Sequence, residues 1–226
     1  MSAVDLRLVA FTLRMAALAT AAILVPGVAA GLLLARYRGP GRGALDTLLS
    51  LPLVLPPTAV GLGLLQLLAR NGPLGAWLDE RGLDVVFTWR GVVLATGVMS
   101  FPLLVRSART AFEAVDPRLV ALARTLGCRP AAAFFRVTLP LAGRGIVAGL
   151  LLAFSRALGE FGATILVAGN IPGRTQTRAL AIFQEVHAGR ERHALALAGW
   201  TVALAFAALW STEWISSRRV RDREAP

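Results

Sequence analysis

The chain has 226 residues, 56% of them hydrophobic, with a mean hydropathy of +0.64 and a formal net charge of +11. That apolar share excludes an ordinary soluble domain, and the apolar residues gather into long runs instead of alternating at helical or strand period. The positive charge does not mark a nucleic-acid binder, because the arginines fall mostly between those runs, where a membrane protein carries cationic loops.

A bilayer core takes about 20 mostly apolar residues in a helix. Five stretches meet that length, at about 11–35, 44–69, 86–105, 141–168 and 194–215. The expected fold is therefore all-α: one polytopic membrane domain over residues 1–226, with about five spans. Arg7 precedes the first stretch and Arg14 lies at its start, as in a signal peptide, but its apolar run is longer than a signal core of about 7–15 residues. It is read as a retained span containing Pro26 and Gly27.

Arginine bias orients the spans. Arg36, Arg38 and Arg42 follow span one, the 106–140 segment carries six arginines with Arg144 just after it, and Arg218, Arg219, Arg221 and Arg223 close the chain. With five spans these regions share one side, the cytoplasm, leaving the N-terminus outside and the C-terminus inside. The opposite side receives Asp79, Glu80 and Asp84 and the mildly basic 170–193 stretch.

Span two opens Leu51-Pro52-Leu53-Val54-Leu55-Pro56-Pro57-Thr58. The prolines prevent a regular helix there, and freed carbonyls at membrane depth are tolerated where backbone lines a cavity. Pro56 and Pro57 are thus candidate path residues.

The 106–140 connection is long enough to form a cytoplasmic structure. Asp116-Pro117 suits a helix start, Gly127 suits its left-handed end, and a second helix-like segment precedes Pro140 and span four. Two short helices joined at Gly make a knob for docking into another protein; an amphipathic hairpin on the membrane surface fits the spacing equally.

Span four contains Arg156 and Glu160 one turn apart in an apolar run. Near the bilayer centre each would cost ~2.5–3.5 kcal/mol, so both should face protein or water. A mutual ion pair is the favoured reading, and a place on the substrate path the alternative. Gly159 and Gly162 allow close helix approach or a bend, and Thr164 follows them. The segment from Asn170 to Arg178 offers amide, hydroxyl and guanidinium donors, which suit an oxyanion or simply a solvated loop; the loop reading is favoured.

All 24 basic side chains are Arg. A Walker A loop needs Lys, so any ATP that drives this chain is bound by another subunit. The single Cys128 excludes an intrachain disulfide and is placed in the cytoplasm as a reduced thiol. His187 and His193 lack companion ligands and are read as loop residues, with no metal expected. No internal repeat of the secondary-transporter kind is visible. Five spans are too few to enclose a gated path, so a homodimer with the path on its two-fold axis is expected.

The long connection resembles the EAA motif of binding-protein-dependent ABC importers: Glu-Ala-Ala, three residues, Gly, nine residues, a branched apolar residue, any residue, Leu-Pro. Ala121-Leu122-Ala123 take the first positions, Gly127 follows at the required distance, and Val137-Thr138-Leu139-Pro140 complete the pattern. The leading Glu is replaced by Ala121 and the first Ala by Leu122. Phe87-Thr88-Trp89-Arg90-Gly91, Ser100-Phe101-Pro102-Leu103, Leu158-Gly159-Glu160-Phe161-Gly162-Ala163-Thr164 and Gly169-Asn170-Ile171-Pro172-Gly173-Arg174-Thr175-Gln176-Thr177 resemble molybdate permeases, and sulfate permeases share parts of the last two.

The resemblance implies a type I importer permease, homodimeric, bound to two ATPase subunits and served by an extracytoplasmic oxyanion-binding protein. It implies that Ala121–Pro140 couples to the ATPase, that the partner uses ATP and Mg, and that this chain binds no cofactor and catalyses nothing. Rival readings are a sulfate or thiosulfate permease of the same architecture and a proton-coupled transporter using Glu160. An intramembrane protease is disfavoured, since no Ser/His or paired-Asp constellation lies within the spans.

Overall fold

The computed structural model describes residues 3–203 together with 206 and 210, and among these every regular element is helical. Helix α1 (Ala3–Arg36) runs unbroken through Pro26. At 1.5 Å per residue, Arg14 and Arg36 stand about 33 Å apart along it, roughly the thickness of a bilayer core.

The second expected span is not one helix. α2 (Arg42–Val54) and α3 (Pro57–Leu68) meet at 108°. Leu55 and Pro56 each precede a proline, which disfavours helical backbone, and both are extended, with ψ 144° and 133°. Pro57 then opens α3 at its first turn, where a missing N–H costs nothing. A short helix, α4 (Gly75–Asp79), follows.

The third span continues past 105. α5 (Trp89–Glu113) extends to Glu113 because polar Ser107, Arg109 and Thr110 keep helical backbone after the apolar run has ended. It is the central helix, flanked by α1 and α8. Small residues bring the backbones together: a Cβ on Gly31 would lie 2.7 Å from the Ala108 Cβ, and one on Gly145 would lie 2.5 Å from that of Ala111. Phe112, Ala142 and Ile146 complete this part of the core with Ala108.

Charged groups tie α2 to the end of α5. Arg109 reaches Asp46 at 2.7 Å and Glu113 at 2.9 Å, and Arg42 reaches Glu113 at 2.8 Å. Arg42 Nε also donates to the Leu34 carbonyl of α1 at 3.0 Å. These pairs are half-exposed, and such pairs contribute up to about 1 kcal/mol each. Arg109→Ala is expected to lose about 1–2 kcal/mol in thermal unfolding. The difference from wild type should shrink in high salt; a salt-independent loss would assign the effect to packing instead.

The connection after α5 is shorter than 106–140. α6 (Pro117–Thr125) starts on Asp116, whose carboxylate accepts the Arg118 N–H at 2.8 Å. It ends on Gly127 (φ +86°), with Cys128 N–H donating to the Ala123 carbonyl and Gly127 N–H to that of Arg124. The second knob helix, α7 (Pro130–Ala133), does not stand apart. It passes through a π-helical turn, Phe134–Thr138, directly into α8 (Leu139–Leu158). Pro140 lacks an N–H and its ring needs room against the preceding turn, which widens so that Leu139 N–H reaches Phe134 O.

The fourth expected span, 141–168, is also broken. α8 ends at Leu158 and a separate helix, α9 (Gly162–Ala168), resumes after Gly159–Phe161. The 170–193 stretch holds α10 (Arg178–His187), so His187 closes a helix and His193 lies in the next helical run, neither in the loop expected for them. Helical backbone returns at 191–203. The remainder of the fifth expected span to 215, and Arg218, Arg219, Arg221 and Arg223, lie outside the described residues. Among the described residues three helices are long and apolar enough to cross a membrane, and the bent α2–α3 pair makes a fourth.

Candidate translocation site and docking knob

The two broken spans meet at their breaks. A Cβ on Gly61 would lie 2.7 Å from the Ala163 Cα, and one on Gly162 would lie 2.7 Å from the Pro57 Cβ, so α3 and α9 pack backbone to backbone. Pro57 and Gly162 are thereby brought together, with Pro56 at the preceding corner and Thr164 buried on α9.

Glu160 lies inside this junction, its side chain 1% exposed. One carboxylate oxygen meets Arg156 Nη2 at 2.7 Å, and the other accepts the Ala163 N–H at 2.9 Å. The pair therefore bridges the break: Arg156 closes α8, and Glu160 caps the first turn of α9 while lying favourably at its positive end. The Arg156 side chain is 30% exposed. Leu158 packs beside Leu13 and Ala16 of α1, about 30 Å along α1 from Arg36. The ion pair thus sits toward the membrane interface remote from Arg36, not at the bilayer centre. A Cβ added at Gly159 would meet nothing within 4 Å. Among the described residues, the buried hydroxyls of Thr164 and Ser100 have no hydrogen-bond partner.

Asn170 belongs to a hydrogen-bonded turn whose tip, residues 172–174, is exposed. The N–H groups of Arg174, Thr175 and Gln176 converge on the Ile171 carbonyl at 2.9–3.1 Å, while Thr175, Thr177 and Arg178 are buried. Arg178 donates its N–H to Thr12 Oγ1 at 3.0 Å and Nη2 to the Leu197 carbonyl at 2.6 Å, fastening the turn to α1 and the final helix. Sequence reading missed Gln184, whose side-chain oxygen accepts from Asn170 at 3.1 Å and Gln176 at 2.6 Å. No local signal pointed to it, since the partners come from different elements. Beyond α10, Arg190 and His193 both bond Glu185; the guanidinium first and the imidazole second hold its carboxyl down to about 2.

The knob is anchored by Phe134, whose ring lies 6.3 Å from that of Phe112 and 5.4 Å beneath the Arg36 guanidinium. Leu139 packs into the α5–α8 core, and Val137 and Pro140 belong to the turn that joins knob to span. Ala121, Leu122 and Ala123 lie on α6, where Leu119, Leu122 and Leu126 form an exposed apolar face at helical spacing, with Phe135 exposed nearby.

Long apolar helices, two spans broken where they pack together, and an apolar knob at one membrane face define a membrane-embedded transport component. The chain belongs to the family described as "Binding-protein-dependent transport system inner membrane component", which matches residues 27–221. It is a multi-pass inner-membrane transport subunit of an ABC importer, not an enzyme.

Its relatives are more particular. The chain is 45% identical over 217 residues to the "Molybdenum transport system permease protein ModB" of Escherichia coli (strain K12), covering 95% of this chain and 94% of that one. It is 38% identical to the ModB of Azotobacter vinelandii, covering 96% of each. The "Sulfate transport system permease protein CysT" of Escherichia coli (strain K12) is 38% identical over 82% of this chain and 67% of its own length. Among solved structures, a bacterial alginate ABC transporter in complex with an alginate pentasaccharide-bound periplasmic protein gives a TM-score of 0.75 at 18% identity, covering 96% of this chain and 80% of that one. An amino acid ABC transporter with histidines gives 0.63 at 18% identity, covering 95% and 94%. At that identity the likeness establishes the fold.

Proposed function

We propose that this chain is the membrane-spanning subunit of an ATP-driven importer that carries molybdate, or the nearly isosteric tungstate, by alternating access. The observation that carries the reading is identity to a molybdenum permease along 95% of the chain, against 82% for the sulfate permease relative. Two copies enclose the path, two ATP-binding subunits bind ATP and Mg, and an extracytoplasmic protein delivers the oxyanion. The N-terminus lies outside and the C-terminus inside. This chain holds no cofactor.

Alternating access needs only that each ATPase state prefer a different permease conformation. The 114–140 knob, with Ala121, Leu122, Ala123 and Gly127, seats on the ATPase, and its continuity through Val137, Leu139 and Pro140 into α8 transmits the movement. At the other end of α8, the hinge at Gly159 and the Arg156–Glu160 pair move α9 against α3. Pro56, Pro57, Gly162, Thr164 and Asn170 border the path.

Leu126, 78% exposed, is the sharpest probe of docking. Leu126→Arg is expected to keep the permease folded in the membrane while removing the ATPase from it on co-purification, with uptake falling to background. Undiminished co-purification would rule out this face as the docking surface. The function itself is tested by labelled molybdate uptake in cells lacking the chain and in cells with it restored. Restored uptake that stops on ATP depletion supports an importer of this class; uptake that stops only with an uncoupler supports the proton-coupled reading.

A further inference from the structure

A cleft of about 590 Å³ opens between the α1 end remote from Arg36, the turn at Gly82–Asp84, the start of α5 and the Gly173–Arg174 corner. Three guanidinium groups, Arg14, Arg90 and Arg174, line it against one carboxylate, Asp84. Asp84 already faces Arg70 at 3.8 Å. Arg90 donates to the Asp84 carbonyl at 3.4 Å and lies 5.7 Å from the Trp89 ring centroid. Among the described residues neither Arg14 nor Arg174 forms an ion pair. The cleft therefore carries an uncompensated positive charge built from planar donors, which suit a phosphate or another tetrahedral oxyanion.

Its remaining walls and its depth select among such anions. Phe11, Met15 and Leu18 make an apolar floor. Leu18 heads an exposed stripe that continues through Val25 and Leu33 down α1. Arg14 stands about 33 Å from Arg36 along that helix, so both fall at interface level. Half-exposed Trp89 is a residue of the same interfacial belt. A free oxyanion has no use for the floor or the stripe, and a protein docking from solvent would meet a surface above headgroup level. An amphiphile uses all of them.

We propose that this cleft binds the phosphodiester headgroup of an anionic phospholipid such as phosphatidylglycerol, with an acyl chain lying along the Leu18–Val25–Leu33 stripe. The inference rests on α1 crossing the membrane and is independent of which oxyanion the path carries. It makes the permease sensitive to membrane composition at a site outside the transport path.

The test uses the intact permease–ATPase complex in neutral detergent, titrated with phosphatidylglycerol and phosphatidylcholine and read by native mass spectrometry. Phosphatidylglycerol should be retained in preference. Arg14→Gln and Arg174→Gln should each weaken it about fivefold. Asp84→Asn should strengthen it, a sign of change that misfolding does not produce. Inorganic phosphate and molybdate at equal concentration should fail to displace it. Equal retention of the two lipids would overturn the proposal. Displacement by inorganic phosphate would reassign the cleft to free oxyanions. Arginine variants that leave lipid binding intact but weaken capture of the binding protein would make it a docking surface instead.

Discussion

Glu160→Ala is expected to cost the permease about 3 kcal/mol and to abolish uptake, because it breaks two interactions of one buried carboxylate. The Arg156 guanidinium loses its partner at 2.7 Å, and the Ala163 N–H at the start of α9 loses its acceptor at 2.9 Å. Partial exposure of Arg156 places the cost at the low end for a broken buried pair, since water can reach the orphaned cation. Glu160→Gln keeps an acceptor for Ala163 while losing the charge, so it should fall between wild type and Ala. Exchanging the two residues, Arg156→Glu with Glu160→Arg, restores the ion pair but puts a donor against the Ala163 N–H. Its thermal stability should therefore stay close to that of Glu160→Ala. Full rescue by the exchange would show that the ion pair alone matters and that the cap does not.

The second large effect is expected at Gly61. Its added methyl would lie 2.7 Å from the Ala163 Cα and 3.0 Å from the Ala163 carbonyl oxygen, and backbone cannot move aside as a flexible side chain can. Gly61→Ala should thus lose about 1–3 kcal/mol and depress uptake by displacing α9 from α3. Gly63 supplies the control two residues along the same helix, since a methyl there meets nothing within 4 Å. Gly63→Ala should be neutral or stabilise the helix by up to about 1 kcal/mol. Gly162→Ala presses on Pro57 across the same junction, so combining it with Gly61→Ala should be less than additive. Equal melting temperatures for the Gly61 and Gly63 variants would contradict the close approach.

These two sites also mark where sequence reading stopped. The first and third spans were legible because a bilayer demands long apolar runs, and α6 was legible because Asp116, Pro117 and Gly127 act through local backbone chemistry. Leu55-Pro56-Pro57 announced an irregularity for the same reason, though its 108° bend did not follow from the prolines alone. The break after Leu158 was harder to see, because apolar residues continue straight through it and only Gly159 and Gly162 hint at a corner. The end of α5 was misplaced for the opposite reason: the helix outlasts its apolar composition. Ion pairing between Arg156 and Glu160 was readable from their spacing, whereas the cap on Ala163 depends on the break and was not. Contacts such as Arg178 to Thr12 join residues far apart in the chain and leave no trace in either neighbourhood.

The most direct test of the account is substrate competition in proteoliposomes holding the permease with its ATPase, with ATP sealed on the ATPase side and the binding protein added outside. Labelled molybdate should enter only with ATP, be blocked by a large excess of tungstate, and be unaffected by the same excess of sulfate. Uptake that sulfate abolishes would contradict the molybdate reading and make this chain a sulfate-type permease; uptake without ATP would contradict the importer itself.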